Sequence, residues 1–450
     1  MTFSRRDLLR SGAAIGGLAA FQGLWPRLGG SVRADELASD QHFLFCYFNG
    51  GWDLLLSLDP RDPAVFRQDL RKTTRIETGF ESLDGQPEIV TTSVPGMTFG
   101  PYIGGLARHA ERLTVVRGLS MDTLTHEVGR RRFLTGRPPV GLQAQGSNLA
   151  TVLAAHLGQT NAIPQLSVRV ESYNDGHPSY ASAIRVSAVD DLLRALRPSD
   201  ASLPASARAR VDALLDSVAD CPSASGSPFL QEALELRSAS RDLVGLGLGD
   251  RFDFAANTPE MEALRDAYGI DPADLRSPAA QAAAAVTALT SGIARAVNIE
   301  VCAGLDTHGP EWASAHGPTL QSGFDVVAAI LDDLASREYG TTGTTWLDHT
   351  TVVGFSEFGR SSLLNASGGR DHHLTNAAFL AGGGLRGGRV LGRSSDLGLT
   401  PTTLDLRTGS PDPSGTILHP EHLFRAILQR VGIEDDVADL RAEAFTALYA

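Results

Sequence analysis

Short apolar runs alternate along this chain with amphipathic stretches of helical period. The apolar runs are His42–Phe48, Leu113–Arg117, Asn298–Gly304, Thr350–Phe355 and Ala377–Ala381. The first stops at Asn49-Gly50-Gly51 and the last at Gly382-Gly383-Gly384. Apolar runs of this length, bounded by turn residues, predict strands covered on both faces. Helical period marks Thr319–Arg337 and Pro420–Val431, where Pro420 suits a first helical turn. The alternation predicts an α/β fold, a mostly parallel central sheet between helical layers. Between about 190 and 292 the chain turns Ala-, Leu- and Arg-rich and loses its strand signals. That stretch predicts a helical insertion in one domain spanning 35–450, with a surface loop over Leu399–Thr416.

The first residues carry a different pattern. Ser4-Arg5-Arg6-Asp7-Leu8-Leu9-Arg10 precedes an apolar stretch, Gly12–Leu24, and then Val32-Arg33-Ala34. The apolar stretch is too short and too rich in Gly and Ala to anchor stably in a bilayer. The order fits a twin-arginine signal over residues 1–34, recognised by the twin-arginine translocase and removed on export to the periplasm or beyond. An amphipathic N-terminal helix is the other reading. No second segment is long and apolar enough for a stable span in the mature chain.

The 450 residues carry a formal charge of -13. No Lys/Arg run interleaves with aromatics, which argues against nucleic acid as a partner. Cys46, Cys221 and Cys302 are scattered and odd in number, so no disulfide framework is implied.

The chemistry-bearing residues cluster where the predicted strands end, the edge at which open α/β sheets build sites. Asp53 follows the first strand on a Gly turn, as a cation ligand or an Asx turn. Asp306 and His308 stand two apart on a Gly-ended loop, as metal ligands or as a helix cap and a solvated ring. Glu357 and Arg360 follow the fourth strand, as a ligand beside an anion-binding group or as a surface ion pair. Asp371 and His372 follow Gly368-Gly369, the most metal-like string in the chain, or a polar loop. A mixed carboxylate and imidazole set suits Zn, Mn or Fe better than Mg or Ca. His126 and Arg130 lie i,i+4 on a predicted helix, converging on an anion or forming a solvated basic face.

The order of these motifs resembles the alkaline-phosphatase-like superfamily, and more closely its twin-arginine-exported branch, domain of unknown function family 1501. The residues that carry it are Arg5-Arg6, Gly50-Gly51 with Asp53, Asp306-Thr307-His308-Gly309, Ser356-Glu357-Phe358-Gly359-Arg360, Gly368-Gly369-Arg370-Asp371-His372 and Gly382-Gly383-Gly384-Leu385-Arg386-Gly387-Gly388. The resemblance implies a divalent-metal site drawing on Asp306, His308, Glu357 and His372. It implies a hydrolase acting on a phosphate or sulfate ester, with Arg130 and Arg360 on the ester oxygens. Two departures matter. Glu357-Phe358 stands where phosphatases and sulfatases usually show Asp-His or Asp-Asn. The segment His126–Arg137 resembles the sulfatase nucleophile helix, yet His126 fills the nucleophile position. The alternative is a non-catalytic envelope protein that keeps the fold and binds a metal or an anionic glycan.

Overall fold

The computed structural model describes residues 40–85, 87–197, 204–219, 228–434 and 436–450. The signal segment 1–34 and Cys221 lie outside the described residues. The main-sheet strands are β1 (His42–Phe48), β2 (Leu113–Ser120), β3 (Gln165–Val168), β4 (Ile184–Val186), β5 (Ala296–Cys302), β6 (Thr350–Ser356), β7 (Thr375–Ala381) and β8 (Arg389–Gly392). Their order is β8-β2-β7-β6-β1-β5-β3-β4.

The sheet is mostly parallel, as the apolar runs predict. β1 pairs in parallel with β5 and β6, β3 with β5, and β8 with β2. β7 is reversed and runs antiparallel to both β2 and β6. The start of β7 therefore lies at the edge where β1, β2, β5 and β6 end. Every residue of β1, β5, β6 and β7 is buried, which is why these strands read as continuous apolar runs. β3, β4 and β8 are three or four residues long, and no run in the sequence announces them.

Helices α1 (His126–Thr135), α2 (Leu149–Leu157), α8 (Gly317–Ser336) and α9 (Pro420–Arg430) belong to the sheet unit. Pro420 sits in the first turn of α9. One aromatic stack joins helices to sheet. Phe133 of α1 stacks on Phe355 of β6 at 4.2 Å between centroids, Phe355 on Tyr47 of β1 at 5.2 Å, and Phe133 meets Phe424 of α9 edge-on at 5.6 Å.

A second compact unit covers Val186–Ala280; the sheet unit is Met1–Arg185 with Gln281–Ala450. The second unit holds α3 (Val189–Leu196), α4 (Ala205–Ala219), α5 (Pro228–Gly245) and α6 (Pro259–Tyr268). Its α4 and α5 are linked by ion pairs such as Arg241–Asp216 at 2.8 Å. The division falls inside α7 (Pro278–Thr290), earlier than residue 292. From Gln281 onward this helix belongs with the sheet: the Gln281 side chain accepts the backbone N–H of Glu300 on β5 at 3.1 Å. Among the described residues no helix is long and apolar enough to cross a membrane.

Phe355 is fully buried between two aromatic rings. Phe355→Ala should lower the unfolding free energy by about 3–5 kcal/mol, read from denaturant unfolding.

Candidate metal centre

Four donor atoms meet at the edge where β1, β2, β5 and β6 end and β7 begins. His126 opens α1 after β2, Asp306 and His308 follow β5, and His372 precedes β7. Asp306 Oδ1 lies 3.2 Å from His126 Nε2, 3.0 Å from His308 Nε2 and 3.3 Å from His372 Nε2. His308 Nε2 and His372 Nε2 are 3.0 Å apart. His126, Asp306 and His372 each present one donor within 4.8 Å of the others. Donors at about 2.0–2.2 Å from a tetrahedral ion stand about 3.3–3.5 Å apart, so the spacing matches a metal's first shell.

The far nitrogen of each ring is anchored. His126 Nδ1 meets Glu357 Oε1 at 2.7 Å, His308 Nδ1 meets Asp371 Oδ1 at 2.8 Å, and His372 Nδ1 meets the Leu124 carbonyl at 2.5 Å. A carboxylate or a carbonyl only accepts, so each Nδ1 carries the proton and each neutral ring turns a lone pair inward at Nε2. Two lone pairs at 3.0 Å repel unless a cation or a proton lies between them. The buried Nε2 of His126 also has no hydrogen-bond partner among the described residues. Anchored Nδ1 atoms behind convergent Nε2 atoms are the usual outer shell of a metal site, and the residues present fit a divalent ion.

Two glycines allow this convergence. A Cβ on Gly129 of α1 would lie 2.3 Å from the Glu357 carbonyl oxygen, so only glycine lets α1 sit against the end of β6. His126, one turn earlier, then meets the Glu357 side chain. A Cβ on Gly50, at φ +117°, would lie 2.6 Å from the Asp306 backbone nitrogen, too close for any side chain.

The electrostatics are uneven. Burial alone would raise the Asp306 carboxyl, but the hydrogen bond and charge of the Arg360 guanidinium hold it well below the usual carboxylate range. Burial works against charge on His126, yet the hydrogen bond and charge of Glu357, with Asp306, raise its pKa above the ordinary value. Burial lowers His372. The hydrogen bonds of His308 and Asn365 lower Asp371.

Several expected ligands stand elsewhere. Asp53 does not join the donors. It is buried, with Oδ2 2.9 Å from Arg370 Nε and 2.8 Å from Trp312 Nε1, and Oδ1 accepting the N–H groups of Leu55 and Leu56. Its lone pairs are thus already taken. Glu357 and Asp371 stand one shell out, behind His126 and His308. Glu357 is fully buried, and Oε1 also accepts the Gly50 N–H at 2.9 Å. Arg360 is no open anion clamp. It is buried and donates to the carbonyls of Gly50, Gly51 and Arg370 and to Asp306 Oδ1 at 2.8 Å. Arg130 turns to Glu171 at 2.9 Å, with Arg131 on the same carboxylate at 3.3 Å. Sequence reading assigned no role to the Leu124 carbonyl, to Glu171, or to Phe358, whose ring packs 4.2 Å from His372 and 4.8 Å from His126. Only the place of Phe358 between Glu357 and Arg360 hinted at it.

A family model described as "Protein of unknown function (DUF1501)" matches residues 40–431. The chain belongs to this family. No curated protein sequence matches it. Among solved structures it is similar to a Bacteroides thetaiotaomicron protein designated a 4S-sulfatase, from work on the metabolism of multiple glycosaminoglycans. Identity is 10%, with 91% of this chain and 76% of that chain covered and a TM-score of 0.39. It is also similar to the alkaline phosphatase of the Antarctic bacterium TAB5, at 10% identity, 88% and 99% coverage and a TM-score of 0.32.

Asp53→Asn should cost about 3–5 kcal/mol in denaturant unfolding, because it leaves the buried Arg370 charge without its counter-ion. Glu171 yields a pH test. Burial opposes its ionisation, but hydrogen bonds from Arg130, Tyr173 and Arg131 bring its pKa down to about 2. Its folded value lies below its unfolded value of about 4.3, so the stability it contributes is complete above that pH and is lost as pH falls toward 2. The urea midpoints of Glu171→Gln and the parent should differ at neutral pH and converge across that window.

Proposed function

We propose that the chain is an exported metal-dependent hydrolase acting on a small phosphate or sulfate ester. The observation that carries the reading is the convergence of His126, His308 and His372 Nε2 on Asp306 Oδ1, with every Nδ1 anchored. His126, Asp306 and His372 would hold the ion, with His308 adjoining. Nitrogen-rich donors favour Zn, Mn or Fe over Mg or Ca. When bound, the ion supplies Lewis acidity toward an ester oxygen and toward water. Arg360 keeps Asp306 ionised and fixed. Glu357 holds His126 in the tautomer that offers Nε2. His308, half exposed and backed at Nδ1 by Asp371, keeps its Nε2 turned toward the other donors.

A second reading has its own support. Among the described residues no hydroxyl or thiol is hydrogen-bonded to a donor atom, and both named arginines are committed to protein partners. That favours a metal-binding envelope protein without turnover.

Elemental analysis of the purified full chain should find about one divalent ion per chain, and His126→Ala and His372→Ala should each weaken metal affinity about 10–100-fold or more. The parent should turn over p-nitrophenyl phosphate or p-nitrophenyl sulfate in a chelator-sensitive way. Metal without turnover selects the second reading; neither metal nor turnover removes both. Export rests on Arg5-Arg6 and the apolar stretch behind them. Replacing both arginines by Lys should retain the precursor in the cytoplasm, and undiminished export of that variant excludes the twin-arginine route.

A further inference from the structure

We infer that Arg169 binds a second anionic group of the ligand held at this centre, so that the substrate is an ester carrying a further carboxylate, sulfate or phosphate. The ester rests on the hydrolase reading, whereas the second contact rests on the fixed, open guanidinium of Arg169.

Arg169 follows β3, which runs parallel to β5 as β1 does, so it stands at the edge where the donors gather. Its Nε donates to Glu300 Oε1 on β5 at 2.6 Å. Asn49 Nδ2 donates to the other Glu300 oxygen at 2.8 Å. The next residue, Gly50, donates its N–H to Glu357 Oε1 at 2.9 Å, and that oxygen also meets His126 Nδ1. Glu300 and Asn49 are thus the links between Arg169 and the shell behind the donor rings.

The Arg169 side chain is 40% exposed, whereas that of Glu300 is 7% exposed. Glu300 takes only Nε; Nη1 and Nη2 meet no partner among the described residues. Other arginines of this edge are committed, Arg360 to Asp306 and loop carbonyls, Arg130 and Arg131 to Glu171. A buried carboxylate that fixes Nε leaves the outer two nitrogens of Arg169 as an oriented fork, which takes an oxyanion on two parallel N–H bonds. Glu300 already neutralises the guanidinium, so selection here works through hydrogen-bond geometry and not through net charge. The backbone is held to this end. Arg169 has φ +60°, a left-handed conformation disfavoured by any residue with a Cβ, and the turn is closed by Ser167 Oγ on the Val170 carbonyl at 2.8 Å. Glycine would relieve that strain and lose the fork. Lysine could not serve both ends, because one ammonium placed on Glu300 has no second arm to offer.

The test uses the full chain with zinc in slight excess and calorimetric binding at neutral pH. The ligands are alkylphosphonates and ω-carboxyalkylphosphonates of matched, increasing chain length. At the length that spans from the centre to Arg169, the carboxylate should tighten binding about 3–10-fold over the matched alkylphosphonate. Arg169→Lys keeps a charge beside Glu300, so its melting temperature should match the parent's. The carboxylate advantage should nevertheless vanish in it, with the alkylphosphonates bound as before. An ion pair that only holds the fold predicts the opposite, a ligand ranking untouched by Lys. Arg169→Gln, with no charge to offer, should lose the advantage too. No advantage at any length, an advantage that survives in either variant, or no binding of any phosphonate overturns the inference. An advantage that depends on Arg169, without turnover of p-nitrophenyl phosphate or p-nitrophenyl sulfate, upholds the second contact and removes the hydrolase reading. Turnover without the advantage does the reverse.

Discussion

A single buried guanidinium ties together the loops on which the centre depends. Arg360 donates to the carbonyls of Gly50 and Gly51 after β1, to the carbonyl of Arg370 before β7, and to the Asp306 carboxylate after β5. Its charge is compensated by one carboxylate, and its remaining donors face backbone oxygens and, at 3.3 Å, His308 Nε2. An uncompensated guanidinium in this interior would be costly, so the loops must stay where they satisfy it. Arg370 repeats the device one layer away. It pairs with Asp53, lies 4.7 Å over the Trp312 ring and donates to the carbonyls of Glu77, Thr78 and Ser361. Arg360, which reads in the sequence as an anion-binding group, is a strut, and Arg370 is a second one.

The struts explain why an exposed carboxylate and exposed rings can still be well placed. Asp306 and His308 are about half open to solvent, and open side chains ordinarily sample many rotamers. Here each is held from behind. Arg360 restrains the carboxylate, Asp371 restrains His308, and Asn365 fixes Asp371 at 3.0 Å while reaching the His308 carbonyl at the same distance. The buried Glu357 and the Phe358 ring do the same for His126.

The central strands were legible because they are covered on both faces, which leaves no polar alternation to blur the run. The short outer strands lack that signature; Gln165-Leu-Ser-Val mixes polar and apolar residues and pairs only because β5 offers it an edge. In the site, the sequence marked the right loops but not the order of the shells. Asp53 and Asp306 look alike, each an acid on a Gly-bearing turn after a strand. What separates them is Arg370 and Trp312, more than 250 residues away from Asp53, which take up its oxygens. Glu357 and Asp371 were recognisable as acids near histidines. Whether an acid binds an ion or the back of a ring depends on which ring nitrogen it faces, a matter of three-dimensional placement alone.

The reversal of β7 has a consequence for the timing of assembly. Because that strand runs against its neighbours, it contributes the residues that precede it, and His372 reaches the donor edge only when β7 is inserted between β2 and β6. The donors are spread from position 126 to 372, and a ribosome-bound chain shorter than that lacks a ring. A cation therefore meets its complete set of donors only after the middle of the sheet has closed. An ion held by this set would therefore enter late in the maturation of the chain and could not be the seed from which the sheet grows.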